Sequence, residues 1–307
     1  MIMEFIGSML ASIIRLSTPI LIAGIGIVFA ARAGIVNVGL EGFMLMGALM
    51  GVVGSYISGL TIVGALLAMA SVCAMAAIFA YFTINLYANQ TVVGTAFNIF
   101  SAGLTTTVNR LVFGVSATVP SINVYEKVAI PLLCKIPVIG DALFNQPLLC
   151  YFAYIMVPVA GYVMYRTNIG LSIRAVGENP KACDTLGIDV YGIRWGTILF
   201  GGCMAGLAGS YMSMGNLSYF VENMVAGQGF MVLAVVVLGS YSPKGVLFAA
   251  LLFGTSQALQ YRVQGMNTGI PYQFLNMIPY IITLLAVCGF MKVSNQPAAG
   301  GKPYIKE

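Results

Sequence analysis

Residues 42–109 contain no lysine, arginine, aspartate or glutamate. A soluble fold cannot cover its surface from such a stretch, because chains that fold in water carry about a quarter of their residues as charges. A bilayer-spanning helix needs roughly 20 mostly apolar residues, so this stretch holds about three spans and their short connections. Further uncharged runs cover 142–165, 195–221, 223–243, 245–261 and 263–291. Only 7% of the chain is charged and 59% is hydrophobic. Intrinsic disorder is excluded too, since it requires low hydrophobicity and high net charge.

The expected fold class is all-α: a polytopic membrane protein with about nine (8–10) transmembrane helices, residues 1–307 forming one transmembrane domain. Spans are expected near 12–31, 36–58, 60–86, 92–110, 148–165, 195–214, 227–241, 245–261 and 274–291. The seventh is too short to cross comfortably and reads as a half-helix or a tilted partner of the eighth. The start lacks the basic residues of a cleavable signal; Glu4 stands there instead. Basic residues favour the cytoplasmic side. With nine spans, Arg32, Arg166, Arg174, Lys181, Arg194, Lys244, Lys292, Lys302 and Lys306 share one side, against Arg15, Arg110, Lys127, Lys135 and Arg262 on the other. The larger set is assigned to the cytoplasm. Residues 166–194 are then cytoplasmic, 111–147 extracellular, and 292–307 a flexible cytoplasmic tail.

The net charge of +5 reads as topology information, not as a surface for nucleic acid. The chain has no histidine, which excludes His-based triads, His-ligated zinc or haem, and imidazole proton shuttles. No catalytic set and no metal site are expected, so the chain does not read as an enzyme. No G-x-x-x-x-G-K-[ST] loop is present to bind ATP. The six cysteines show no C-x-x-C pairing, and unpaired cysteines are the default reading; Cys134 and Cys150 border the 111–147 segment, which leaves a disulfide between them open.

Gly47-x-x-x-Gly51, Gly202-x-x-x-Gly206 and Ala205-x-x-x-Gly209 have the small-xxx-small spacing that lets helices approach closely in lipid. Packing within one subunit is favoured over an oligomer interface. Gly39-Leu-Glu-Gly-Phe-Met44 with Gly54-Ser-Tyr56 is echoed by Gly227-Gln-Gly-Phe-Met231 with Gly239-Ser-Tyr241. The echo is either an inverted-topology repeat or chance in a glycine-rich apolar chain. If it is a repeat, spans two and seven face each other across a central path.

Residues 166–194 concentrate Arg166, Arg174, Glu178, Lys181, Asp184, Asp189 and Arg194. Within them Asn179 suits an N-cap, Pro180 the first helical position, and Gly187 the position just past the end. So short a helix is marginal in water and needs something to pack against. An organised charged segment in so charge-poor a chain favours a docking knob for a soluble partner over a plain surface helix. Inside the membrane Glu41 is the one acid in a confident span. Such a charge must face a cavity or find a partner. Asn37 stands one turn earlier, and Arg32 is near enough to form a clasp with Glu41; a structural clasp is slightly favoured over contact with a transported molecule. Asn98, Thr105, Thr106, Thr107 and Asn109 add polar groups to span four, and Phe97 and Phe100 offer rings for stacking.

Ala31-Arg-Ala-Gly-Ile-Val-Asn-Val-Gly-Leu-Glu-Gly42, Leu171-Ser-Ile-Arg-Ala-Val-Gly-Glu-Asn-Pro180 and Gly227-Gln-Gly-Phe230 with Leu238-Gly239 and Pro243-Lys-Gly245 resemble the permease subunits of bacterial ABC importers. The resemblance is to the branched-chain amino acid, simple sugar and nucleoside permease family, and most to its shorter nucleoside-type permeases. The sequence departs from the common pattern at Ala31, Cys183 and Gln228. The resemblance implies a multi-pass protein of the bacterial plasma (inner) membrane that imports nucleosides, with a simple sugar or riboflavin as the alternative and an ATP-independent secondary transporter further behind. It implies a second permease subunit, ABC ATPase subunits and an extracellular substrate-binding lipoprotein as partners. No cofactor is expected on this chain, ATP and Mg being held by the ATPase. The segment carrying Arg174, Gly177, Glu178, Asn179, Pro180, Lys181, Asp184 and Gly187 then matches the loop that docks on the ATPase. Asn37, Glu41, Phe97, Asn98 and Gln228 are the expected residues of the substrate path.

Overall fold

The computed structural model describes residues 2–114, 122–129, 139–266, 271–290 and 296–306. The helices are α1 (Ile2–Arg32), α2 (Leu40–Ser58), α3 (Thr61–Ala80), α4 (Gln90–Phe113), α5 (Ile139–Phe144), α6 (Leu148–Arg166), α7 (Asn168–Glu178), α8 (Pro180–Thr185), α9 (Val190–Tyr211), α10 (Gln228–Leu238), α11 (Pro243–Gly265), α12 (Tyr272–Leu275) and α13 (Ile278–Phe290). A two-stranded antiparallel pair, β1 (Lys127–Ala129) and β2 (Asn145–Pro147), sets Val128 opposite Gln146. A π turn follows α3 at Tyr81–Asn85 and another follows α9 at Met212–Asn216.

Five helices among the described residues are long and apolar enough to cross a membrane: Ile6–Arg32, Leu40–Ser58, Thr61–Asn85, Leu148–Arg166 and Val190–Asn216. All nine expected spans fall on helices, but four are less clear-cut crossings. The helices α4 and α11 have the length and carry more Asn, Gln and Thr, while α10 and α13 have 11 and 13 residues. The second span begins at Leu40 instead of 36, because the chain before it is not helical.

The core is built on α1, whose Ile20–Ala23 and Ile25 are fully buried. Across it lies α9, and the crossings are made by glycines. A Cβ on Gly26 would meet Gly201 Cα at 3.1 Å, one on Gly47 would meet Gly206 carbonyl oxygen at 2.5 Å, and one on Gly209 would run into the Met44 carbonyl. The small-xxx-small motifs therefore pack α2, α3 and α9 together within this chain. Dispersion between closely approached backbones holds helices together in lipid, where water provides no drive.

Among α1, α2, α3, α9, α10 and α11 the set of packed pairs is unchanged by exchanging α1 with α9, α2 with α10 and α3 with α11. The first helix packs on α9, α10 and α11, and α9 packs on α1, α2 and α3. From their meeting point α2 and α10 run in opposite directions. Ser55, near the end of α2, bonds the Asn123 carbonyl, whereas the chain leaving α10 receives Arg32 at Tyr241. The echoed glycine motifs thus occupy equivalent places in two inverted halves. One end of the bundle gathers Arg32, 166–194, Ser240–Lys244 and 296–306; the opposite end gathers 122–129, 139–147 and the turn after α9.

Gly209→Val places branched carbons against the Met44 carbonyl and is expected to cost at least about 1–3 kcal/mol, the usual penalty of overpacking. The thermal unfolding midpoint in detergent reads it. Gly103→Ala, which meets nothing within 4 Å, serves as the control and leaves the midpoint unchanged or slightly raised.

Candidate functional site

Between Arg32 and Leu40 the chain leaves the helix inside the protein. Backbone groups buried in a membrane protein must find partners, and several here are supplied by neighbouring backbone and side chains. Gly34 turns the chain with φ +88°. Ile35 donates to the Ala30 carbonyl at 3.0 Å, and Val36 N–H donates to Gln90 Oε1 at 2.7 Å. Asn37 Oδ1 accepts from Gly39 N–H at 2.9 Å. Asn98 serves both sides of the break: its Oδ1 accepts from Gly42 N–H at 2.8 Å and its Nδ2 donates to the Val38 carbonyl at 3.0 Å. Asn37 therefore precedes the helix and does not share a face with Glu41.

Glu41, in the first turn of α2, reaches the start of α10. Its two oxygens accept from Gly227 and Gly229 N–H, both at 2.7 Å. The N-terminal ends of two inverted helices converge on one carboxylate, and each carries a partial positive charge there. Gly229 must lack a side chain, since a Cβ would stand 2.5 Å from the Glu41 backbone nitrogen. The expected Arg32–Glu41 clasp does not form. Arg32 donates instead to the Tyr241 and Ser240 carbonyls at 2.8 and 3.2 Å, just past the last turn of α10. The two residues hold opposite ends of the same 11-residue helix, roughly 16 Å apart at 1.5 Å per residue.

Phe97 packs edge-on against Phe43 and Phe79, with centroids 5.8 and 6.1 Å away; its ring is part of the core. Phe100 is exposed. Thr105 and Thr107 bond carbonyls of their own helix. Of the five expected path residues, Asn37 and Asn98 are thus tied to the break between α1 and α2, and Glu41 to the start of α10. Gln228 lines a cavity. That cavity of about 470 Å³ also has Ser12, Arg15, Asn216, Tyr261 and Arg262 on its wall. Gln228 Oε1 is buried with no hydrogen-bond partner. Cys134 lies outside the described residues; Cys150 is a free, buried thiol that faces Thr18 and Tyr211.

In the charged segment 166–194 Asn179 Oδ1 caps α8 by accepting from Ala182 N–H at 3.2 Å, and Pro180 is the first helical residue. Gly187 follows the helix in the left-handed region at φ +79°. The local sequence places all three, because caps act over three residues. The preceding helix α7 was not expected. Its signal is the spacing of Gly170, Ile173, Val176 and Gly177, which are buried and repeat at the helical interval. Arg174 stacks over Tyr165 at 5.2 Å. Gly177 presses on Arg32, whose carbonyl a Cβ would overlap. Glu178 accepts from Ala298 N–H at 3.4 Å. Lys181 is exposed, and Asp184 carries contacts described below.

A protein-family model for the permease component of branched-chain amino acid transport systems matches residues 9–287. The chain belongs to this family. The permease is 37% identical to the nucleoside ABC transporter permease protein NupC of Lactococcus lactis, the match covering 96% of each chain. It is 35% identical to the guanosine ABC transporter permease protein NupQ of Bacillus subtilis over 94% of each. It is also 35% identical to the putative glucose ABC transporter permease protein TsgC13 of Haloferax volcanii, over 87% of this chain and 81% of the relative. No solved structure matches. As a permease component it is a transport subunit of the membrane, not an enzyme.

One part of the permease reverses its sequence expectation. Residues 296–306 do not hang free as a flexible tail. They lie along α7, α8 and the start of α9, with Tyr304 buried beside Val176, Cys183 and Val190. Tyr304 donates to Asp184 Oδ2 at 3.0 Å, and Lys306 pairs with Asp184 Oδ1 at 3.0 Å. A lone aromatic in a short polar stretch was the available signal.

Two outcomes are expected. Glu41→Ala leaves two N–H groups without their acceptor, at about 1.5–3 kcal/mol for each bond to a charged group; Glu41→Gln keeps one good acceptor. Unfolding midpoints in detergent should fall in the order wild type, Gln, Ala, and an Ala variant as stable as wild type removes the assigned role. The second concerns Asp184. The Lys306 ammonium first, and Tyr304 next, hold its carboxyl below the ordinary value of 3.8. A depressed carboxylate contributes above its unfolded pKa and loses that contribution as pH falls through the folded one. Hydrogen exchange at 299–306 should be unchanged in this pair's contribution from pH 8 to 5 and loosen only below about pH 4.

Proposed function

We propose that this permease takes up nucleosides as part of an ATP-driven importer in the bacterial plasma membrane. The observation that carries the substrate reading is the nearly end-to-end match to two permeases named for a nucleoside and for guanosine. The partners are a second permease subunit, ABC ATPase subunits that hold ATP and Mg, and an extracellular substrate-binding lipoprotein. Residues 166–194 face the cytoplasm and dock on the ATPase, 111–147 face outward, and Arg174, Gly177, Glu178, Asn179, Pro180, Lys181, Asp184 and Gly187 form or position the contact.

The energy of ATPase closure enters at α8 and must bias a bundle with two arrangements. Contacts support a direct route inward. Gly177 at the end of α7 bears on the Arg32 backbone, and the Arg32 side chain grips the carbonyls beyond α10. The far end of α10 carries Gln228 on the wall of the cavity. A shift of α7 and α8 is thereby passed to a half-helix whose other end meets the path. The cavity volume falls within the roughly 300–1,000 Å³ of small-molecule sites. The unpartnered Gln228 oxygen is suited to accept from a hydroxyl or amine of the substrate. Asn37, Glu41, Phe97 and Asn98 act on the path by holding the start of α2.

A glucose or other sugar substrate is the second reading, on the strength of the match to TsgC13. Uptake of labelled guanosine and glucose by the complete importer in proteoliposomes separates the two. Guanosine-competed uptake supports the nucleoside reading; glucose uptake that guanosine does not compete overturns it. Asn179→Ala with Pro180→Ala should lower substrate-stimulated ATP hydrolysis and transport at least roughly tenfold, matching about 1.4 kcal/mol or more of lost coupling. Wild-type rates in that variant would remove the docking assignment.

A further inference from the structure

Residues 296–306 are bonded both to the 166–194 segment and to the end of α1. Ala299 N–H donates to the Gly177 carbonyl at 2.9 Å, at the end of α7. Gly301 N–H donates to the Gly34 carbonyl at 3.0 Å, where α1 gives way to the non-helical stretch leading to Glu41. Tyr304 and Lys306 then return to Asp184 on α8. The fit is close. A Cβ on Gly34 would stand 3.1 Å from the Ala299 carbonyl oxygen and 3.2 Å from Arg194 Nη2.

Arg194 explains why the segment is seated there. Its side chain is 3% exposed, and its Nε and Nη2 have no hydrogen-bond partner. Its Nη1 donates to the Lys302 carbonyl at 3.4 Å. A buried cation short of acceptors is costly, and the strap brings carbonyl oxygen to it. Tyr304 carbonyl oxygen also accepts from Tyr191 on α9 at 3.4 Å. The strap is therefore anchored on both sides of Gly34 to the docking segment, and at Gly34 to the start of the path.

We propose that residues 296–306 are a positioning strap for coupling, with Tyr304 as its anchor. The strap holds α7 and α8 to Gly34, so that displacement of the docking helix pulls on the stretch that carries Asn37 and Glu41. It acts beside the Gly177–Arg32 contact, which leads to the other end of α10. The two routes reach opposite ends of that helix, and together they set its tilt. This proposal rests on the docking reading of 166–194 and adds a second link to it.

The test uses the complete importer, purified with its ATPase and second permease subunits. The variants are a chain ending at residue 295, Tyr304→Ala and Tyr304→Phe. The expected result is that all three keep their ATPase subunits at wild-type stoichiometry. Substrate moved per ATP hydrolysed then falls by roughly fivefold or more in the truncation and in Tyr304→Ala, the low end of ordinary coupling energies. Tyr304→Phe, which keeps the buried ring and loses the bond to Asp184, recovers most of the ratio. A purely structural role would lower yield and leave that ratio unmoved. Wild-type ratios in Tyr304→Ala and in the truncation overturn the proposal. Loss of the ATPase in step with transport also overturns it, since the strap would then be docking surface instead of a link. If the truncated chain does not assemble, the two point variants decide. The docking reading fails separately: Asn179→Ala with Pro180→Ala would then keep wild-type coupling, whatever the strap variants do.

Discussion

One carboxylate holds the interior of this permease together. Glu41 receives N–H groups from the start of α10 at 2.7 Å while standing in the first turn of α2. In lipid an irregular backbone survives only where protein supplies its hydrogen bonds. A charge survives only with partners. Here each problem solves the other. Two inverted helices begin inside the bundle with N–H groups and positive partial charge at their starts, and the acid in the first turn of α2 satisfies N–H groups at the start of α10. The Gln90, Asn37 and Asn98 side chains complete the same function along residues 36–42. The broken helices can then exist at the centre, which is where an inverted-repeat transporter needs them.

The rest of the structure is arranged around that point. Glycine crossings bring α9 onto α1 and α2 closely enough to enclose it. Arg32 holds the opposite end of α10, so the half-helix is gripped at both termini by oppositely charged side chains, each matched to the dipole it meets. The charged segment with α7 and α8 touches it through Gly177 and Arg32, and touches its neighbour stretch through residues 296–306 and Gly34. The scarcity of charge elsewhere follows from the lipid setting, where a charge survives only with partners.

Several of these features were legible in the residues. The uncharged runs announced the membrane. Asn179, Pro180 and Gly187 marked α8 correctly, because a cap bonds within its own turn. The small-residue spacings marked close crossings, and the paired glycine motifs marked the two halves. Asn37, Glu41 and Asn98 stand out in the residues as polar groups in an apolar setting that need partners; the fold decides that Asn37 and Asn98 bond the break and Glu41 the start of α10. Phe97 belongs to an aromatic core cluster. The tail at 296–306 looked like a polar terminus, and α7 was passed over within a charged segment.

The sequence by itself determined that the chain lives in lipid, that its charged middle segment folds into a capped helix, and that it performs no histidine chemistry. These depend on composition and on neighbours within a turn. Only the tertiary structure decided what Glu41, Arg32, Arg194 and Tyr304 do. Glu41 meets residues 186 and 188 positions away, Arg32 meets one 209 away, and Tyr304 meets one 120 away. Arg32 and Glu41 are near neighbours in the chain and have opposite charge, so pairing them was the natural reading. The fold sends the chain along the length of α10 between them, and each finds a helix end that suits its sign.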